Sequence, residues 1–410
     1  MSLRNVVKRL IVRLLPIYHK ILVWRLRRKK VINVVFFAAS VSMWRYQFLY
    51  KLMSKHPKFR THIVILPMAT YAKEQQSIDV KDLKSYFDSK GMLYVLGQDP
   101  NGNFFDLKKE VDPDVLFYPQ PYYRCYPDKL AYNSFIDKLI CYYPYAFWTA
   151  GSEWSYDLTF HNIAWKLFYS TKLHKQDAIN LSLQKGKNVE VVGYPNADTF
   201  IREKFIDLWV SQPTKKKRVI WAPHFTITKG LLYQSNFLWM ADLMLELANR
   251  YSDKIQFAFK PHPRLYTELC NHPDWGEEKA RQYYGKWATM ENTQIETGEF
   301  VDLFMTSDAM IHDCGSFTVE YHYSENPVMY VSQNFVEQLK EKNEFGKLAM
   351  NHHYVGKTKE DIIAFIENIV LAGNDPMKPR RQQFKKDYLL PPNGKTVAEN
   401  TMDVFLKAFC

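Results

Sequence analysis

Cysteine is scarce and carries no pattern: five residues in 410, with no CxxC pair and no regular spacing. That argues against zinc sites and a disulfide framework and fits a reducing compartment. No grouping of His, Cys and carboxylates has metal-ligand spacing either. Long apolar runs are missing where a membrane span would need them. In residues 1–30 charges interrupt every such run, well short of the ~20 residues required. The same segment lacks the continuous apolar core and small-residue cleavage site of a secretory leader. It also holds no Asp or Glu. There is no internal repeat and no low-complexity tract.

What that first segment does hold is ten Lys and Arg, which supply ten of the twelve net positive charges. The remaining body is therefore nearly neutral, and no nucleic-acid partner is expected. Between the cations stand Val6, Leu10, Ile11, Leu14, Leu15, Ile17, Ile21, Leu22, Trp24 and Leu26. This reads as a basic amphipathic helix pair bent at Pro16. It fits an interfacial anchor on an anionic cytoplasmic leaflet. The blander reading is a helix packed on the body with its charges solvated.

At 410 residues, two domains are the natural prior. From residue 31 onward apolar runs alternate with helical patterns. Strands are expected at 31–39, 61–66, 92–96, 115–118 and 189–192, and helices at 43–56 and 79–90. The Tyr- and Pro-dense region 118–147 reads as a loop-rich wall facing a cleft, or as a satellite apolar cluster. Residues 211–218 (SQPTKKKR) are the best linker candidate. A second series follows, with strands at 218–222 and 255–260, a βαβ unit within 299–331, and helices at 237–251, 360–371 and 397–409. The fold class is α/β: two doubly wound, Rossmann-like domains facing a cleft, preceded by the basic helical segment. The boundaries drawn are 1–30, 31–212, 213–375 and a tail, 376–410, that packs back on the first domain.

Ligands in open α/β sheets bind beyond the carboxyl ends of strands. Three such ends in the second domain are unusually polar. They are Pro223-His224, the run Lys260-Pro261-His262-Pro263-Arg264, and the turn Asp313-Cys314-Gly315-Ser316 leading into Phe317 and Thr318. Backbone N–H groups and the hydroxyls of Ser316 and Thr318 at a helix start suit a phosphate. His and Arg side chains suit the charge on a second phosphate. An ordinary capped helix is the competing reading of the turn. His262 stands between two prolines just past a strand, which suits a ligand group better than a core histidine. His312 lies within its strand and reads as buried and hydrogen-bonded. His352 and His353 read as surface residues.

The order of motifs resembles the CDP-glycerol glycerophosphotransferases, the membrane-associated teichoic-acid primase and polymerase group. The matching pieces are GYPNAD at 193–198, RVIWAPHFT at 218–226, FKPHPR at 259–264 and DLFMTSDAMIHDCGSFTVEYHYSENPVMYV at 302–331. The resemblance implies a GT-B-like fold, a CDP-linked polyol donor and a peripheral location on the cytoplasmic face of the membrane. It implies that His262 lies near the donor pyrophosphate, that Gly315 and Ser316 fall on the turn binding it, and that Glu320 faces donor hydroxyls. His224, Lys260, Arg264, Asp313, Phe317 and Thr318 complete the candidate donor site. Two departures stand out. Gly315 replaces a Ser that is common in the family. The family's Trp-His-Gly motif, whose histidine is thought to act as the base, is absent. Residues 141–158 occupy about that place and offer Glu153 and Asp157 as base candidates, with His161 nearby, and His224 of the second domain is the alternative.

The reaction so implied is attack by an acceptor hydroxyl on the β-phosphorus of a CDP-linked alcohol, releasing CMP. Positioning and charge neutralisation would supply most of the catalysis. No tightly bound cofactor is expected, though Mg²⁺ can ride on the donor pyrophosphate. The acceptor would be a lipid-linked or polymeric glycan. A nucleotide-sugar glycosyltransferase of the same two-domain fold is the second enzyme reading. A non-catalytic, membrane-bound nucleotide-binding protein is a third.

Overall fold

The computed structural model describes residues 3–99, 101–151, 153–228, 235–315 and 317–410, with the backbone alone for 3–11, 13 and 153. The chain divides into two compact units, Met1–Asp198 with Tyr388–Cys410, and Thr199–Asp387.

Unit 1 begins with α1 (Leu3–Arg28), one continuous helix where a pair was expected. Pro16 interrupts one backbone hydrogen bond, but the helix continues through it. Behind it lies a seven-stranded parallel sheet. Its strands are β1 (Ile32–Ala38), β2 (Phe59–Ile65), β3 (Tyr94–Leu96), β4 (Val115–Tyr118), β5 (Leu139–Tyr142), β6 (Lys166–Tyr169) and β7 (Val189–Val191). Their order is β3-β2-β1-β4-β5-β6-β7. The central strands are apolar over most of their length because helices cover both faces of such a sheet. Val34 to Ala38 are all buried. The region read as a loop-rich wall contains β5, whose short LICY run is masked by the tyrosines and prolines around it.

Unit 2 carries a six-stranded parallel sheet: β8 (Lys217–Ala222), β9 (Ile255–Phe259), β10 (Thr293–Ile295), β11 (Ala309–His312), β12 (Val328–Val331) and β13 (Tyr354–Gly356). The order is β10-β9-β8-β11-β12-β13. Helices α2 (Phe237–Arg250) and α3 (Gly276–Thr289) pack on it. Trp221 of β8 anchors that core. Its ring centroid lies 5.6 Å from Phe237, 5.0 Å from Phe259 and 5.5 Å from Trp287. In both sheets the strand order reverses beside the first strand, at β1/β4 and β8/β11, which gives each unit a topological switch point.

After β11 comes a single helical turn, α4 (Phe317–Glu320), continued by a 3₁₀ turn over Tyr321–Ser324. The last helix, α5 (Val397–Phe409), returns to unit 1, where Phe405 and Phe409 pack on Phe59 and Trp165. The unit boundary falls at 198/199, not within 211–218. The polar run belongs to unit 2, where Gln212 donates to the Glu291 carbonyl at 2.8 Å. The tail also divides, since 376–387 remains with unit 2 and only 388–410 joins unit 1.

Candidate functional site

Strand register brings the three polar strand ends of unit 2 side by side. His312, the last residue of β11, pairs with Ala222 of β8 and with Tyr330 of β12. Trp221 of β8 pairs with Phe259 of β9. The segments 223–226, 260–264 and 313–315 therefore leave the sheet together at its switch point.

Two imidazoles face each other there. The rings of His224 and His262 lie 5.2 Å apart, and Phe225 packs tilted at 4.5 Å from the first and 4.4 Å from the second. The Arg264 guanidinium sits over the Phe225 ring at 4.3 Å. A 2.7 Å ion pair with Glu268 holds it there. The backbone N–H of Arg264 donates to His262 Nδ1 at 3.2 Å. In a neutral ring this leaves the proton on Nε2. At His224, Nδ1 lies 2.9 Å from the Thr226 hydroxyl and accepts the Thr226 N–H at 3.4 Å, which favours the same tautomer. Burial first, then the neighbouring Arg264, lowers His224 to about 4; burial, His224 and Arg264 lower His262 to about 4. Both rings are thus neutral at physiological pH, each with an Nε2–H to donate.

Asp313 organises this site from below. It is buried, and Oδ1 accepts the His224 N–H at 2.6 Å while Oδ2 accepts the Asn236 N–H. Burial raises its carboxyl to about 6. Both oxygens of this donor-site candidate are thus engaged by backbone N–H groups. Lys260 is likewise engaged: its buried amine donates to the Gly298 carbonyl at 2.8 Å and to that of Glu296 at 3.4 Å. Burial lowers its pKa. Gly315 lies in the turn, and the Thr318 N–H bonds back to its carbonyl at 3.4 Å. Phe317 is half-buried and packs on Phe300 and Phe304, with centroids at 5.3 and 4.9 Å. Thr318 and Glu320 are buried. Ser316 lies outside the described residues.

The acceptor-side candidates look different. His161 is 1 % exposed, its Nδ1 accepts the Leu158 N–H at 3.2 Å, and burial lowers it to about 4. It is a core histidine beside Tyr142 and Phe160, not an accessible base. Asp157 Oδ1 accepts from Asn162 at 2.8 Å and from the Leu183 N–H at 2.7 Å, which ties α-helical and loop backbone together. Glu153 opens a short helix, and its side chain lies outside the described residues. Among the described residues, no cluster of three or more His, Cys, Asp or Glu is placed to hold a metal ion.

Two features escaped the sequence reading. His353 is buried, with His322 and His312 at centroid distances of 4.7 and 5.3 Å, so the His352-His353 pair is not a surface feature. Burial dominates the lowered pKa of all three. The GYPNAD motif, for its part, holds the start of α5. Asp198 accepts the Val397 and Ala398 N–H groups at 2.7 and 3.1 Å. Gly193 has φ +104°, and a Cβ there would lie 2.9 Å from Val397 Cγ2.

The chain is similar in fold to several solved structures. A variant of the wall teichoic acid polymerase TagF aligns over 99% of this chain and 95% of its own, with 10% identity and a TM-score of 0.60. A UDP-N-acetylglucosamine 2-epimerase aligns over 92% and 95%, with 14% identity and a TM-score of 0.59. The UDP-GlcNAc 2-epimerase of Neisseria meningitidis, bound to UDP-GlcNAc, covers 92% and 100%, with 14% identity and a TM-score of 0.55. No curated protein sequence matches. At these identities the likeness establishes the two-unit, GT-B-like architecture. The family model of CDP-glycerol:poly(glycerophosphate) glycerophosphotransferases matches residues 157–399, more than half of the chain and every strand-end segment described above. The chain belongs to the CDP-glycerol:poly(glycerophosphate) glycerophosphotransferase family of transferases.

Proposed function

We propose that this protein transfers glycerol phosphate from CDP-glycerol to a hydroxyl of a lipid-linked or polymeric cell-envelope glycan, working at the cytoplasmic face of the membrane. The observation that carries the reading is the His224–His262 pair at the β8/β11 switch point. Two neutral imidazoles, each with Nε2–H available, form a fixed pair of donors for a pyrophosphate. In the reaction the acceptor oxygen bonds to the β-phosphorus. The bond from that phosphorus to the bridging oxygen breaks, and CMP leaves with the electron pair. The hydroxyl proton passes to a base. Hydrogen bonds from His262 and His224 stabilise the charge gathering on the departing phosphate, a contribution of roughly 10²–10³-fold for one well-placed donor. Mg²⁺, if it takes part, arrives on the donor.

Membrane association rests on α1. Val12, His19 and Leu26 are buried, while Leu14, Ile17, Tyr18, Ile21 and Trp24 are exposed on the opposite side of the helix. No described helix is long and apolar enough to cross a membrane. An exposed apolar stripe flanked by cations alone suits the interface of an anionic bilayer.

Donor profiling tests the activity. Release of CMP from CDP-glycerol with a glycan acceptor is the expected result, and turnover of UDP-sugars alone would refute it.

A further inference from the structure

Unit 1 contains a pocket that the donor site does not use. It has a volume of about 840 Å³ and opens between α1, the β6–β7 edge of the sheet and α5. Its size lies within the range of small-molecule sites, roughly 300–1,000 Å³. Lys20 and Arg27 line it from α1, Lys187 from the segment before β7, and Lys407 from α5. Lys20, Lys187 and Lys407 have no ion pair among the described residues. Arg27 donates to the carbonyls of Ala408 and Lys407 at 2.6 and 3.1 Å, and it meets no carboxylate among the described residues. The two acids of the lining are already paired, Glu190 with Lys166 and Asp403 with Lys395. Four exposed cations without a carboxylate partner among the described residues thus line one cavity.

The position of the cavity says what would fill it. Trp24 belongs both to its wall and to the exposed apolar stripe of α1. With that stripe seated among the lipids, the cavity mouth lies at the level of the headgroups. We propose that this pocket binds the phosphate-bearing headgroup of an anionic phospholipid, phosphatidylglycerol being the one to test. The inference rests on the membrane reading above and adds a defined site to it. General surface attraction places the helix on any anionic bilayer, whereas the pocket selects a phosphodiester headgroup.

The experiment uses the full chain with two kinds of vesicle of equal charge density. One is charged with phosphatidylglycerol and the other with a carboxylate-headed diacylglycerol. Val404→Trp fills the pocket without altering any charge, since Val404 lines it and is half-buried. Lys187→Gln, at a surface position outside α1, guards against a packing defect in the first variant. Each variant should weaken binding to phosphatidylglycerol vesicles by about fivefold or more, the scale of one lost cationic contact. Binding to carboxylate vesicles should be unchanged for Val404→Trp. Soluble glycerophosphoglycerol should compete and inorganic phosphate should not. Equal binding of wild type and both variants to phosphatidylglycerol overturns the pocket while leaving α1 as a general anchor. Competition by inorganic phosphate at the same concentration overturns the lipid as its source. Failure of the wild type to bind either vesicle overturns both this inference and the membrane reading.

Discussion

Asp313 Oδ1 accepts the backbone N–H of His224 at 2.6 Å across the gap between β11 and β8. With its other oxygen on the Asn236 N–H, one carboxylate fixes two backbone segments at the switch point of unit 2. An amide in its place offers one acceptor and turns an NH₂ toward an N–H. Asp313→Asn should therefore lower stability by roughly 1–3 kcal/mol, the cost of a buried donor left unmade. Glycerophosphate transfer should fall with it, because His224 loses its support. Thermal unfolding and turnover, measured on the same preparation, check both. A fully active and equally stable variant would remove Asp313 from the positioning role.

His262→Ala and His262→Gln separate charge stabilisation from packing. Alanine should reduce kcat by roughly 10²–10³-fold, with an unchanged melting temperature. Glutamine retains an N–H and should recover part of that loss. The loss should fall mainly on kcat and less on KM if the hydrogen bond strengthens as CMP departs. Equal kcat for all three forms would eliminate the role.

Lys260→Met distinguishes a donor contact from a structural pin. The amine is held by the carbonyls of Gly298 and Glu296, so its removal should destabilise the loop after β10. Expected are a loss of roughly 1–3 kcal/mol for the unpartnered carbonyls and a near-normal KM for CDP-glycerol. A large rise in KM with unchanged stability would return Lys260 to the donor site.

Acid should weaken the fold. Burial holds His161 and His174 at about 4 and His312 at about 3. In the unfolded chain the same rings titrate near ~6.5. Between those values the unfolded state binds more protons than the folded one. Each ring then removes stability as pH falls, at roughly 1.4 kcal/mol per pH unit. Asp313 acts in the opposite sense. Its folded value of about 6 lies above the usual carboxylate range, so it favours folding at acid pH and loses that contribution as pH rises through 6. One such group does not offset three histidines. Urea midpoints should stay level above pH 7 and fall steadily from about pH 6.5 to 4. Midpoints constant over that window would contradict the burial of these rings.

Asp198→Ala should cost about 0.5–2 kcal/mol, the range for a lost helix N-cap, and should be felt mostly in α5. Faster hydrogen exchange at Val397–Phe409, with unit 2 amides unaffected, is the expected signature.

The second half of the site was readable because its signals are local. A histidine between prolines after an apolar strand, and a small-residue turn after another, depend only on neighbouring residues. Parallel pairing then put them together, as strand alternation required. Direction of side chains was not readable. Asp157 and His161 are four apart in a polar stretch and looked like an acid and a base. The fold turns one into a backbone clamp and the other into the core. Lys260 and Asp313 likewise look like ligand groups in sequence, and their structural partners, 38 and 77 to 89 residues away, could not be read there. β5 was hidden by the aromatic residues around it. The burial of His353 depends on His312 and His322, which only tertiary packing brings near.

Unit 2 is one uninterrupted stretch of chain, whereas unit 1 is closed by α5, which follows it in sequence. Phe405 and Phe409 cover a face that includes Phe59, Phe117, Trp165 and Phe168. During synthesis that face stays uncovered until α5 emerges, after the whole of unit 2. Unit 2 can finish folding while unit 1, made first, still waits for α5.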